Sequence, residues 1–224
     1  MDIDEYLQLA EWRRTVAALY ERWRNESGLD PEAATARWRL ARDELFRSHA
    51  QSPLPIDERA RFGGLSYYPY DPAYRMTATV ESFADPADPA DLADPPDGKP
   101  AALLQLPTSG DKPFSFRRIG QVALSGPLAG SVLPVFWMEG YAGGLFVPFR
   151  DATAGAETYG AGRYLLDSVK GADHGGDPQQ RELLLDFNLA YHPSCVYDPR
   201  WNCPLAPLES RLGVPIRAGE RLAV

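Results

Sequence analysis

Residues 74–81 read YRMTATVE. Tyr74, Met76, Ala78 and Val80 alternate with Arg75, Thr77, Thr79 and Glu81. A period of two is the signature of a strand with one face buried, because successive side chains point to opposite sides of the pleat. C-terminal to this stretch the chain keeps to short apolar or alternating runs. Further strands are expected at 65–70, 101–107, 114–125, 132–139, 144–152, 157–167 and 182–191, with Pro and Gly in nearly every gap. Many short strands joined by turns predict an antiparallel barrel or sandwich. N-terminal to it the period changes. Ile3, Leu7, Ala10, Val16, Leu19 and Trp23 recur at helical spacing over residues 3–25, and Gly28 is placed to cap that helix in the left-handed conformation. Asp30-Pro31 is an N-cap followed by Pro at the first helical position, opening a second helix that runs to about Ser48 with Trp38, Leu45 and Phe46. Ser52-Pro53-Leu54-Pro55 ends it. The expectation is an α+β protein: an N-terminal helical hairpin over residues 1–55 and an antiparallel barrel-like or sandwich β domain over 56–224.

The 224 residues are 44% apolar and 24% charged, the balance of a chain that folds around a core without staples. No run is apolar enough to span a membrane and no leader pattern opens the sequence, so the cytoplasm is the expected compartment and no membrane is expected as a partner. The net charge is −8. Five aspartates in ADPADPADLADPPDG (84–98), with no base among them, carry most of it. They recur every third residue, the period of a polyproline helix, which would align the carboxylates on one side. The tract reads either as a solvated hairpin insertion or as a cation-binding or docking stripe. Nucleic acid is not an expected partner, because binding phosphate takes clustered Lys and Arg.

Polar residues gather in the second half. On a strand over 182–191, Leu183, Leu185, Phe187, Leu189 and Tyr191 share a core face, and Asp186, Asn188 and His192 lie on the other. Arg150 and Arg163 come from neighbouring strands, and an Arg fork can grip a carboxylate or phosphate. Convergence of Arg150, Arg163, Asp186 and Asn188 at a barrel mouth, with Tyr159 and Tyr191 at the rim, would make a site for a small polar or anionic ligand. The same four residues read equally as an internal salt-bridge network, with one arginine paired to Asp186. Asp151, Thr153, Gly155 and Thr158 bracket a loop that their side chains can cap. Gly160-Ala161-Gly162 lacks the third glycine of a dinucleotide fingerprint and marks close packing or a bulge. Cys195 and Cys203 are too few for a disulfide scaffold. With His192 they lack a fourth zinc ligand, so no metal and no cofactor is expected, and a structural thiol pair is the default. His49 stands at a helix end, and His174 stands alone.

Several strings act together: FRSHAQSPL (46–54), FGGLSYYPYDPAYR (62–75), FRDATAGAETYGAGRYL (149–165), LDFNLAYHPSCVYDPRWNCPLAP (185–207) and AGE (218–220). In combination they resemble a bacterial and archaeal family of uncharacterised proteins, domain-of-unknown-function family 1684, over most of the chain. The family pattern carries a Pro and an Asn where this chain has Ala206 and Ser210. The resemblance implies no activity. Three functions therefore stay open: a small-molecule-binding β domain, a hydrolase-like enzyme using Asp186 or Cys195, and a structural or assembly module docking a partner through its tryptophan-bearing helices. The oligomeric state is not readable.

Overall fold

The computed structural model of the chain describes residues 2–82, 103–141 and 143–223. The Asp-Pro tract at 84–98 lies outside the described residues. Helix α1 (Ile3–Ser27) opens on a capping box, in which the Glu5 amide donates to Asp2 and the Asp2 amide to Glu5, both at 2.9 Å. Helix α2 (Pro31–Ser48) is capped by Asp30, which accepts from the Ala33 amide at 3.0 Å. Gly28 does not take the left-handed conformation (φ −70°). The amides of Leu29 and Asp30 both reach the Glu26 carbonyl, so the helix end is satisfied without it. A single turn, α3 (Ile56–Arg59), follows.

Among the described residues eight strands come next: β1 (Arg75–Glu81), β2 (Leu104–Leu106), β3 (Phe114–Ala123), β4 (Val132–Met138), β5 (Gly144–Phe149), β6 (Arg163–Asp167), β7 (Gly176–Asp177) and β8 (Glu182–Asp186). They form one antiparallel sheet in the order β6-β5-β4-β3-β1-β8-β7, with β2 beside β3, curled into a half-barrel. Three expectations need correction. Residues 65–70 make only a bridge between Tyr67 and Glu220. The run 157–167 is strand only from Arg163. The strand expected to Tyr191 stops at Asp186, where the carboxylate accepts the Asn188 amide at 3.0 Å and caps a 3-10 turn at Phe187–Leu189. The in-and-out parity read past that point therefore does not hold, and Asp186 and Asn188 are both buried.

One side of the sheet holds the main core, with Val122, Leu133, Val135, Phe149, Leu185 and Phe187 among its members. A second core joins the hairpin to the sheet. Tyr20, Trp23 and Trp38 pack on Ala172 and Leu189. Each fully buried aromatic there contributes about 1.5–3 kcal/mol. Trp23 and Trp38 of the hairpin thus face the body of the protein. Gly171 (φ +85°) sits where helix α1 touches the body, and a Cβ there would lie 2.8 Å from the Ala17 amide nitrogen.

Candidate functional site

The residues expected to converge divide into two separate knots. In the first, Arg163 is wholly buried and its guanidinium donates to Asp151 (3.2 Å) and to the carbonyls of Ile216 (2.8 Å), Ala218 and Glu220 (3.0 Å). A single planar fork thus holds three carbonyls of one segment, which bends at Gly219 (φ +77°) between the last two. Asp151 also accepts from Thr153 and from the Ile216 amide at 2.7 Å, and Thr153 meets the Thr158 hydroxyl at 2.9 Å. The loop-capping reading of Asp151, Thr153 and Thr158 therefore holds. Gly162 (φ +102°) allows the close approach that its motif suggested, since a Cβ there would meet the Phe149 carbonyl.

In the second knot Asp186 pairs with Arg75 at 3.0 Å, its cross-strand neighbour in the β1–β8 register. The Asn188 side chain donates to Asp186 and to the Asp71 carbonyl and accepts the Asp71 amide, each at 2.9 Å. Burial pushes the Asp186 carboxyl up, against the lowering pull of Asn188 and Arg75. Neither Arg150 nor Arg163 pairs with Asp186. Arg163 is spent on Asp151, and Arg150 acts through its backbone, bonded to Ser210 and Leu212. Asp186 has no exposed surface through which it could meet a substrate.

The concave site lies elsewhere, between the helical hairpin and the half-barrel. Its walls include Trp12, Leu19, Tyr20, Trp38, Phe46 and Tyr191. Its cavity volume is about 60 Å³, on the measure by which one water takes ~10–15 Å³. Arg42 reaches the lining from α2 and is itself buried. Its guanidinium meets Glu220 at 2.9 Å and donates to the Tyr67 hydroxyl at 2.8 Å. Burial opposes the Arg42 charge, but Glu220 and Tyr67 hold it firmly protonated. Glu220 also accepts from the His192 amide at 3.1 Å and lies 3.4 Å from its Nδ1. His192 Nε2 accepts from the Tyr159 amide at 3.2 Å, which assigns the ring proton to Nδ1, facing Glu220. Burial disfavours the Glu220 charge, yet Arg42 and His192 hold its carboxyl below the usual range. Lys170, beside the cavity, pairs with Asp167 at 3.4 Å. The Tyr20 and Tyr191 hydroxyls carry no hydrogen bond among the described residues, and burial raises both. The lining thus offers aromatic walls, two open hydroxyls and cations that already carry their counter-charges.

Of the expected site residues only Tyr191 lines this cavity, and Tyr159 stands one hydrogen bond behind it, on His192. Arg42, Glu220, Tyr20 and Lys170 were not singled out from sequence. Arg42 had a signal, lying four residues from both Trp38 and Phe46 on the buried face of its helix. Glu220 had another, as the acid of the AGE string.

Residues 60–221 match the family model described as a protein of unknown function (DUF1684). The chain belongs to this family. A solved structure similar to this chain is that of an uncharacterised protein of Haloarcula marismortui, determined in solution by NMR. It is 33% identical, with a TM-score of 0.59, over 88% of this chain and 97% of that one. No curated protein matches. Ser210 is buried and its hydroxyl has no partner among the described residues. No group of His, Cys, Asp or Glu suited to a metal ion occurs among the described residues. None of the described helices is long and apolar enough to cross a membrane.

Proposed function

We propose that this protein is a small-molecule-binding β domain whose ligand occupies the cleft between the helical hairpin and the half-barrel. One observation carries the reading: an aromatic-walled cavity in which two tyrosine hydroxyls have no partner of their own. Ligand sites are commonly such places, mostly apolar with a few placed polar groups. Arg42 and Lys170 are already paired, so an anion would meet little free positive charge. The ligand class is a small, flat, mostly apolar molecule with one polar group that exchanges hydrogen bonds with Tyr20 and Tyr191. This moves the site away from Arg150, Arg163, Asp186 and Asn188 and keeps Tyr191.

The test uses indole and phenol as probes, with protein-detected NMR and tryptophan fluorescence. Binding in the millimolar range is expected, with shifts confined to Tyr20, Trp38, Tyr191 and their neighbours. Leu19→Trp, which fills the cavity, should abolish it. Equal responses from the filled variant and the parent, or no response from the parent, would refute the site.

A further inference from the structure

The polar inventory of the cleft wall is lopsided. Arg42 lines the cleft and is only 8% exposed. Both of its polar contacts, the Glu220 carboxylate at 2.9 Å and the Tyr67 hydroxyl at 2.8 Å, are made by the same amino group, Nη1. A guanidinium has five N–H donors in a fixed fork, so the Nε–H and the two of Nη2 remain, with no hydrogen bond or ion pair among the described residues. Trp38, also in the wall, has a buried Nε1–H with no partner among the described residues, and an indole can only donate. Acceptors are scarce by comparison. His192 Nε2 is taken by the Tyr159 amide, and Glu220 is held by Arg42 and by the His192 amide. That leaves the hydroxyls of Tyr20, Tyr191 and Ser194 as the wall's open side-chain acceptors, and each of these can donate as well. The charges already balance: Arg42 against Glu220, Lys170 against Asp167.

We propose that the occupant of the cleft is an uncharged, flat carbonyl compound, an aryl ketone or amide in class, whose oxygen accepts from Arg42. This rests on the cleft being the ligand site and names the polar group that enters it. A buried donor without a partner is costly, and a carbonyl oxygen offers two lone pairs to a wall that holds surplus donors. A carboxylate would also accept, but it would bring an uncompensated negative charge into a buried site whose ion pairs are complete. Arg42 is thus the residue that selects the ligand's polar group, while the aromatic walls select its shape.

The experiment follows the Arg42 Nε–H signal by protein-detected NMR of the folded parent while three benzene derivatives are added. They are acetophenone, α-methylstyrene (a methylene in place of the carbonyl oxygen) and benzoate. Without a donor in the wall, α-methylstyrene would bind more tightly, because burying an unpaired carbonyl is penalised. The expected result is that acetophenone binds at least as tightly as α-methylstyrene, moves the Arg42 signal further, and binds about tenfold more tightly than benzoate or better. Leu19→Trp should abolish the acetophenone response. If indole and phenol enter the cleft but α-methylstyrene outbinds acetophenone, or benzoate equals it, the carbonyl assignment is wrong and the cleft stands. If none of the five probes binds, the cleft reading falls and this assignment falls with it. The comparison needs no variant of Arg42.

Discussion

His174 provides a sharp test of how the hairpin is held on the sheet. It is buried against Tyr20 (5.8 Å) and Trp23 (5.3 Å), and its Nδ1 accepts the Asp186 amide at 3.2 Å. Its Nε2 is buried with no partner among the described residues, and Arg75 and Arg24 bear on it from neighbouring elements. Burial first, and the two arginines second, lower it from 6.5 to about 3. In the unfolded chain the imidazole titrates near ~6.5, so below that pH the unfolded state binds a proton that the native state refuses. His174 therefore stabilises the fold above about pH 6.5, and that stability is lost as pH falls towards about 3. At ~1.4 kcal/mol per unit, the loss is about 2 kcal/mol between about pH 7.5 and pH 5. His174→Phe keeps the ring contacts but leaves the Asp186 amide unpaired, a cost of about 1–3 kcal/mol at neutral pH. Urea titrations of both proteins across that range measure the difference directly, since Asp186, Glu220 and every other acid are common to both. The parent should lose its advantage by about pH 5. A constant difference between the two proteins, or an imidazole signal titrating near 6.5 in the folded parent, would show that His174 is not held neutral by burial.

Asp151→Ala leaves the Arg163 guanidinium buried without its counter-charge and should cost about 3–5 kcal/mol in chemical denaturation; a loss near zero would show that the three carbonyls alone satisfy it. Gly171→Ala forces a Cβ against helix α1 at a left-handed position, and should lower the melting temperature and speed amide exchange in α1; unchanged exchange there would mean that the hairpin docks independently of this contact.

Much of the fold is legible in the sequence because local signals and burial agree. The Asp30-Pro31 cap, the alternation at 75–81 and the turn residues between strands all act within a few residues of themselves. The site is less legible for a physical reason. Parity assigned Asp186 and Asn188 to an open face, but Asp186 binds its own backbone two residues on and turns the chain into a 3-10 turn. An Asp followed two residues later by Asn carries that tendency, and a strand period overrides it only on paper. The partners were less legible still. Arg75 finds Asp186 across 111 residues, Arg163 finds segment 216–220, and Arg42 finds Glu220. Such pairings are set by topology, and no spacing in the sequence encodes them. The expected arginine–aspartate pairing was right in kind and wrong in its members.

The segment from Ile216 to Glu220 is synthesised after every strand it fastens. Until it emerges from the ribosome, Arg163 lacks the three carbonyls it binds, Asp151 lacks the Ile216 amide, and Arg42 lacks Glu220. A chain cut before Ile216 loses all of these partners at once, and it should be digested by protease faster than the parent.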